Sequence, residues 1–294
     1  TRSVEPPFST EARLDFDAIR RTVEVAVRMM DNVIDVSRFP LEAQAEQARG
    51  SRRVGLGLTG LADALILLGM HYGTEAARRL AALVMKTICL TAYRTSITLA
   101  REKGPFPFFE KERYLSGAFI QALPEDIRAG IARDGIRNGL LTAIAPTGTI
   151  SLLANNVSSG LEPVFDFNYR RRVLDMEGNP HEHGLTDYAL RLWRELKGDA
   201  PTPESFVDAR ALPPEAHLDM QAALQPYVDN AISKTINIPA DYPFEAFKAV
   251  YEQAHAKGLK GCTTFRPNPV TGAVLEAGVA GEPSACCGIE READ

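Results

Sequence analysis

Apolar residues in the first third of the chain recur every three or four positions, which is the spacing of helices that bury one face. In segment 12–36 the apolar positions are Ile19, Val23, Ala26, Met30 and Val33 or Ile34. Further helices are expected near 40–50 and over 61–68, and a long one between an N-cap at Thr74 and a stop at Gly104. The pattern therefore predicts a helical layer before residue 105.

Later positions alternate between helical and strand patterns. The apolar run 140–145 lies between turn residues, and its length predicts a strand buried on both faces. Strands are also expected over 165–172 and 259–265, and helices over 186–196, 213–225 and 244–257. This alternation predicts an α/β fold with a largely parallel sheet. We assign residues 1–266 to one domain and expect 267–294, rich in Pro, Gly, Ala and Glu, to be a flexible tail or linker.

Composition and charge exclude several classes of protein and predict the cellular location. The 294 residues are 45% hydrophobic and carry a formal net charge of -5, which argues against sequence-independent nucleic-acid binding. No apolar run approaches the roughly 18 residues of a membrane helix, and residues 1–10 lack a signal-peptide pattern, so we expect a cytoplasmic protein without a membrane partner. Four cysteines are too few for a disulfide framework. The start at Thr1 and the polar end lead us to expect part of a longer protein.

The candidate phosphate loop, residues 146–151, follows the predicted strand 140–145 and consists of Pro146, Thr147, Gly148, Thr149, Ile150 and Ser151. Backbone N–H groups at a helix start favour an anion, the hydroxyls add donors, and Gly148 allows close approach. The alternative is that Thr and Ser are ordinary N-caps. A Walker loop is excluded, because no Gly-Lys-Ser/Thr follows.

Other motifs predict a functional site less strongly than the candidate phosphate loop does. The glycines of segment 54–60 (VGLGLTG) lack the dinucleotide-binding spacing and are interpreted as close-packing positions. His181 and His183 are a weak metal signal, so no metal is assigned. We expect the arginines 170–172 either to face phosphates or the side chains of a cofactor, or to form a solvent-exposed strand face paired with nearby carboxylates. Cys89 and Cys262 are expected to be core thiols.

Six motifs in a fixed order carry a family resemblance. They are 30–36 (MDNVIDV), 53–58 (RVGLGL), 145–151 (APTGTIS), 158–163 (SSGLEP), 229–237 (DNAISKTIN) and 258–266 (GLKGCTTFR). Together the chain resembles the class II, adenosylcobalamin-dependent ribonucleotide reductases, which make deoxyribonucleotides by radical chemistry. The resemblance implies part of a ten-stranded α/β barrel built from two parallel five-stranded halves, with a central finger loop that carries a radical cysteine.

The resemblance also implies site residues and partners. The candidate phosphate loop would bind the phosphates of a ribonucleotide, with a diphosphate as the expected substrate, and adenosylcobalamin would be the cofactor. Pocket-wall or corrin-facing positions are Asn155, Asn156, Ser158 and Ser159. The expected partners are the remaining barrel half of the same polypeptide, a reductant such as thioredoxin, and a second copy in a homodimer.

Departures from the family pattern limit the function of this chain. The finger-loop signature Asn-x-Cys-x-Glu is absent, so no catalytic residue is assigned here and the isolated chain is expected to be inactive. Cys286 and Cys287 could act as redox shuttles, although adjacent cysteines form a strained pair. Two alternatives remain: a class I large-subunit fragment, disfavoured because 262–266 lacks its tyrosine pair, and a catalytically silent phosphate-binding or assembly module.

Overall fold

The computed structural model describes residues 4–174, 180–239, 241–266 and 275–277. Four helices follow the predicted pattern: α1 (Phe16–Val36), α2 (Glu42–Ser51), α3 (Leu61–Leu67) and α4 (Glu75–Lys103). Thr74 caps α4 by accepting a hydrogen bond from the Ala77 N–H (3.2 Å), and Gly104 ends it at φ 82°. Both predicted ends of this helix are confirmed. A hairpin of β1 (Val4–Glu5) and β2 (Arg13–Leu14) precedes α1.

The helical layer packs around α4. The buried residues of α4 include Met85, Cys89 and Tyr93. Helix α1 lies along α4, with Val23 and Val27 buried. Cys89 is fully buried in the core, which confirms the predicted core thiol, and burial raises its pKa to about 12. By length and composition α4 could cross a membrane, but most of its apolar stretch is buried in this layer, as is typical of a core helix.

Three short helices were not predicted: α5 (Lys111–Leu115), α6 (Ala118–Gln121) and α7 (Glu125–Asp134). They follow α4 in the chain, and α7 packs against α4 and α5 with Ile127 and Ile131 buried. The remaining elements are α8 (Gly148–Leu153), β3 (Asn168–Leu174), β4 (Pro180–Thr186), α9 (Tyr188–Lys197), α10 (Pro214–Leu224), β5 (Thr235–Asn237), α11 (Phe244–Ala256), β6 (Thr263–Phe265) and β7 (Leu275–Ala277).

Four chain segments run parallel to one another, in the order 54–58, 140–145, 230–238 and 263–265. Parallel bridges join Leu56 to Thr142 and Ile144 to Ile232, and β5 pairs in parallel with β6. The prediction of an α/β fold is therefore confirmed, whereas the predicted largely parallel sheet is limited to these short segments. The prediction that segment 140–145 is buried on both faces holds for its first part, where the neighbours Leu141 and Thr142 are both fully buried. It fails at the end of the segment, where Ile144 is buried but Ala145 is exposed.

The second sheet departs from the predicted topology, because its strands are antiparallel in the order β4-β3-β7. β3 pairs with β4 over its whole length, which places the predicted strand 165–172 slightly later in the chain. β7 pairs with β3 through Leu275 to Ala277, so these three residues of the predicted flexible tail form a strand instead. The other tail residues, 267–274 and 278–294, lie outside the described residues.

Candidate functional site at the start of α8

The candidate phosphate loop joins the open end of segment 140–145 to α8. At its centre Thr147 has φ +55°, a left-handed conformation that is uncommon for a β-branched residue. A residue held there costs on the order of 1–3 kcal/mol and persists only where its surroundings fix it. The strain therefore marks a position that the rest of the fold maintains.

A chain of hydrogen bonds fixes Thr147. The Gly160 N–H donates to Thr147 Oγ1 (2.7 Å), and the Thr147 hydroxyl donates to Thr59 Oγ1 (3.2 Å). The Thr59 hydroxyl then donates to the Ser158 carbonyl (2.9 Å). Segments 58–60 and 158–160 thus hold the candidate phosphate loop from the side that faces the protein interior.

Two serines tie α8 to the same support. The Ser151 hydroxyl donates to the Gly148 carbonyl at 2.8 Å and lies 3.0 Å from Ser159 Oγ. Because the single Ser151 proton goes to Gly148, Ser159 is the donor in the second contact. Ser151 is buried and its hydroxyl is used within the fold, so it shapes the loop from inside.

The outer side of the candidate phosphate loop is open. Pro146, Gly148, Thr149 and Ile150 are exposed, and nothing lies within 4 Å of the position where a Gly148 side chain would begin. Gly148 and Ile150 belong to the first turn of α8, whose N–H groups have no acceptor one turn earlier in the helix. An anion can therefore reach these backbone donors.

Gly160 is required by its geometry. Its φ is +50°, and a Cβ atom at this position would lie 2.7 Å from the Ala145 carbonyl oxygen. Only glycine adopts this conformation at no cost, so the close contact between 160 and the candidate phosphate loop depends on it.

The predicted pocket-wall residues separate into two groups. Ser159 lies beside the candidate phosphate loop, 3.0 Å from Ser151. The exposed Asn155 follows the C-terminal end of α8, where its carbonyl accepts a hydrogen bond from Arg191 at 2.5 Å. Asn156 is used inside the fold, since it donates to the Thr186 carbonyl (3.0 Å) and accepts from the Tyr169 hydroxyl (2.6 Å). Ser158 is buried beneath the loop, so its side chain cannot line an open pocket.

A buried pair of carboxyl groups supports Ser158. Asp63 accepts from the Ser158 N–H (2.5 Å) and the Ala189 N–H (2.9 Å), and Asp187 caps α9 by accepting from Ala189 and Leu190. The two buried carboxyl groups lie close enough for the charge of one to act on the other. Burial, and next the charge of Asp63, raise the pKa of Asp187 well above its ordinary value. Asp187 therefore keeps its proton to higher pH than an exposed aspartate does.

This pair predicts a pH effect on stability. A carboxyl with a raised pKa in the folded state stabilises the fold below its unfolded pKa of about 3.9, and this contribution is lost as pH rises toward the folded pKa. We expect Asp187→Asn, which keeps the cap acceptor and donates to Asp63, to raise the free energy of unfolding by about 1 kcal/mol at pH 8. Denaturant titrations at several pH values should show that the gain grows between pH 4 and pH 8.

The matched variant Asp187→Ala loses both the charge and the cap acceptor. Loss of an N-cap costs about 1 kcal/mol, so this variant should show little or no gain at pH 8. An equal gain for Asp187→Asn at pH 4 and pH 8 would contradict the raised pKa of Asp187.

Other sequence candidates lie apart from this site. Cys262 is half-buried against the cluster around Ile236, and burial raises its pKa. His183 is in β4 and Arg170 in β3, in the antiparallel sheet. Among the described residues no group of His, Cys, Asp or Glu has the arrangement of a metal site. Cys286 and Cys287 lie outside the described residues.

Sequence reasoning missed the support of the site. Thr59, Asp63 and Gly160 contact the loop or its neighbours, but they come from segments that were read only as packing or as family motifs. Nothing in the spacing of Thr59 and Asp63 signals contacts with residues 88 and 95 positions later in the chain.

Comparison with known proteins identifies similar sequences. The family described as "Ribonucleotide reductase, barrel domain" matches residues 3–265. The chain is 36% identical over 287 residues to a vitamin B12-dependent ribonucleoside-diphosphate reductase of Mycobacterium tuberculosis, covering 91% of this chain and 39% of that protein. It is 34% identical over 289 residues to the protein of the same name from Thermoplasma acidophilum, covering 91% and 35%. A ribonucleoside-diphosphate reductase large chain of Encephalitozoon cuniculi is 29% identical over 299 residues, covering 92% and 38%. The chain thus spans less than two fifths of the length of each relative.

Proposed function

Because the chain belongs to the ribonucleotide reductase barrel-domain family, we propose that it supplies the substrate-phosphate site of a B12-dependent ribonucleoside-diphosphate reductase. The observation that carries the proposal is the strained Thr147, held by Gly160 and Thr59 so that the exposed first turn of α8 faces outward. Helix starts of this kind bind phosphate through backbone N–H groups. The candidate phosphate loop has no lysine or arginine, so backbone and hydroxyl donors would do the binding.

The parallel sheet supports a role as part of a larger barrel. Beyond the buried Leu141, one face of segments 54–58, 143–145 and 230–234 carries small, exposed or half-buried residues, namely Gly55, Gly57, Ala143, Ala145, Ala231 and Ser233. The opposite face is packed on the helices through residues such as Ile144 and Ile232. In the ten-stranded barrel that we propose, the open face would line the interior, and polypeptide outside this chain would supply the other half and the radical cysteine.

A corrin cofactor would meet the surface next to the candidate phosphate loop. Ile150 and Leu153 of α8 are exposed apolar side chains, and the exposed Asn155 follows them. An apolar surface edged by an amide fits the chemistry of a corrin ring with amide side chains, so these residues would hold it. When bound, adenosylcobalamin supplies the radical. The part assigned to this chain is binding and orienting the substrate phosphates, so the isolated chain is expected to be inactive.

The same proposal implies a substrate, a reductant, a cellular location and an assembly. The substrate would be a ribonucleoside diphosphate, the reductant a dithiol protein such as thioredoxin, and the location the cytoplasm, with a homodimer as the expected assembly. A class I reaction is less well supported, because the stretch 262–266 contains no tyrosine pair. A silent phosphate-binding module would retain the loop without the radical chemistry of the whole protein.

Gly148→Asp tests the phosphate site directly. The new side chain meets open space, and an acidic residue is favourable in the first turn of a helix, so the variant should fold normally. Its carboxylate would stand where the phosphate binds and repel it. We expect calorimetry with a ribonucleoside diphosphate to show an affinity at least about tenfold weaker, which corresponds to about 1.4 kcal/mol.

Gly148→Ala is the matched control, since it adds volume without charge. The affinity of Gly148→Ala for the diphosphate should stay within about threefold of that of the unmodified chain. The corresponding change in binding free energy is well below the roughly 1.4 kcal/mol of a tenfold change. Equal affinity in Gly148→Asp and the unmodified chain would place the diphosphate elsewhere, and absence of binding to the folded, unmodified chain would count against a site formed by this chain alone.

A further inference from the structure

Lys234 is a buried cation in a chain region where apolar side chains dominate. Its relative exposure is 1%, and it immediately precedes β5, between Ile232 and Ile236. Ammonium groups are almost never buried without partners, because removal from water costs several kcal/mol per ion. The hydrogen-bond partners of Lys234 therefore indicate its structural role.

Three acceptors surround the Lys234 ammonium. It donates to Glu162 Oε2, to His217 Nδ1 (2.7 Å) and to the Thr235 carbonyl (2.8 Å). An ammonium has three protons and no lone pair, so all its donors are used and His217 Nδ1 must accept. His217 is therefore neutral with its proton on Nε2, and burial, followed by the charge of Lys234, lowers its pKa to about 3. Lys234 thus joins β5, α10 and the segment that contains Glu162.

Glu162 connects this cluster to the candidate phosphate loop. Its Oε1 accepts from the Thr235 N–H (2.7 Å), so both carboxylate oxygens are held from the β5 side. Its own N–H donates to the Ser159 carbonyl (2.8 Å). Ser159 contacts Ser151, and the next residue, Gly160, donates to Thr147. Only a few bonds separate the Lys234 ammonium from the strained residue of the loop.

Resting on the proposed function, we infer that Lys234 is a positioning residue for phosphate binding: with Glu162 and His217 it fixes segment 158–162, which in turn holds Thr147 in its left-handed conformation. An apolar residue at 234 could fill the space, but it would leave the Glu162 carboxylate without its cation. Directional hydrogen bonds from Lys234 and from the Thr235 N–H set the position of Glu162 more narrowly than apolar packing does, and the bond to His217 fixes Lys234 in turn.

Amide hydrogen exchange of the whole chain tests the structural part. In Lys234→Met, exchange at the Gly160 N–H should accelerate at least tenfold more than at the Leu141 N–H, a core amide bonded to Asp229 Oδ2 at 2.7 Å. Arg52→Met is the matched control, because it removes another buried cation, paired with Asp31, that has no contact with the loop. There, both amides should accelerate together.

The conservative variant His217→Asn separates positioning from packing. The Asn oxygen can accept the same Lys234 proton, so Gly160 exchange should remain near that of the unmodified chain, whereas His217→Leu should resemble Lys234→Met. If Gly160 and Leu141 accelerate equally in Lys234→Met, Lys234 contributes only to global stability and the inference is wrong.

Calorimetry with a ribonucleoside diphosphate tests the functional part. Lys234→Met should weaken binding about tenfold under conditions where Arg52→Met leaves it unchanged. Selective acceleration of Gly160 with unchanged affinity would overturn the link to phosphate binding. If the unmodified chain binds no diphosphate, the proposed phosphate site fails, while the exchange result still decides whether Lys234 positions the loop.

Discussion

Asp31→Asn should be among the most destabilising substitutions in this chain, with a loss of about 3 kcal/mol or more in the free energy of unfolding. Asp31 is fully buried, and its carboxylate contacts Arg52 (2.7 Å), Lys103 (3.3 Å) and Arg137 (3.3 Å). Removing the anion leaves these cations close together, with only the half-exposed Asp35 to compensate Arg52. The new amide would also direct N–H groups at N–H donors.

The pH dependence of this substitution gives a second measurement. Burial opposes ionisation of Asp31, but Arg52, and then Arg137 and Lys103, outweigh it and lower its pKa. Stability from a carboxyl with a lowered pKa is present above the unfolded value of about 3.9 and is lost as pH falls through the folded value. The difference between the unmodified chain and Asp31→Asn in denaturant titrations should therefore be largest near pH 7 and shrink below pH 4.

Asp17→Asn is the control, since it removes a carboxylate from the same helix. Asp17 pairs with Arg20 at 2.5 Å, but both side chains are largely exposed to solvent, where such pairs contribute little. Its unfolding curve should match that of the unmodified chain. A loss below about 1 kcal/mol for Asp31→Asn would mean that water or movement of Arg137 compensates the missing charge.

The helices were predictable where local pattern and packing agree. The spacing of Val23 and Ile34 marked the buried side of α1, and Thr74 and Gly104 marked the ends of α4, because caps act within one turn. Val33, the alternative to Ile34, is exposed. Helices α5–α7 are short and carry few apolar residues each, so their periodicity is too weak to detect.

The site was predictable only in part. The candidate phosphate loop follows a parallel strand, as its sequence indicated, because a strand followed by small and hydroxylated residues is a local signal. Its support is not local: Asp63 and Asp187 meet across 124 positions, and Lys234 meets His217 and Glu162 inside the protein. Composition rules place lysine and aspartate at the surface, so only the folded structure shows these residues paired in the interior.

Two glycine-to-alanine substitutions that bring the new Cβ atom equally close to a neighbouring atom should differ greatly in their effect on stability. A Cβ atom at Gly57 would lie 2.2 Å from the Ala143 carbonyl oxygen, and one at Gly50 would lie 2.2 Å from Phe108 Cζ. The first neighbour is backbone, held by the hydrogen bond from the Ala143 N–H to the Leu56 carbonyl (3.0 Å). The second is the end of a half-exposed side chain that can rotate away.

We therefore expect Gly57→Ala to lower the free energy of unfolding by about 3 kcal/mol, because two parallel segments must separate to admit the methyl group. Gly50→Ala, at the end of α2, should be neutral or stabilising by up to about 1 kcal/mol, since alanine favours a helix. Thermal unfolding of both variants checks this contrast. Ala143 lies four residues before Thr147, so Gly57→Ala should also weaken diphosphate binding, whereas Gly50→Ala should not. Similar losses in both variants would mean that segments 54–58 and 140–145 can move apart at little cost, and the close-packing interpretation of Gly57 would be wrong.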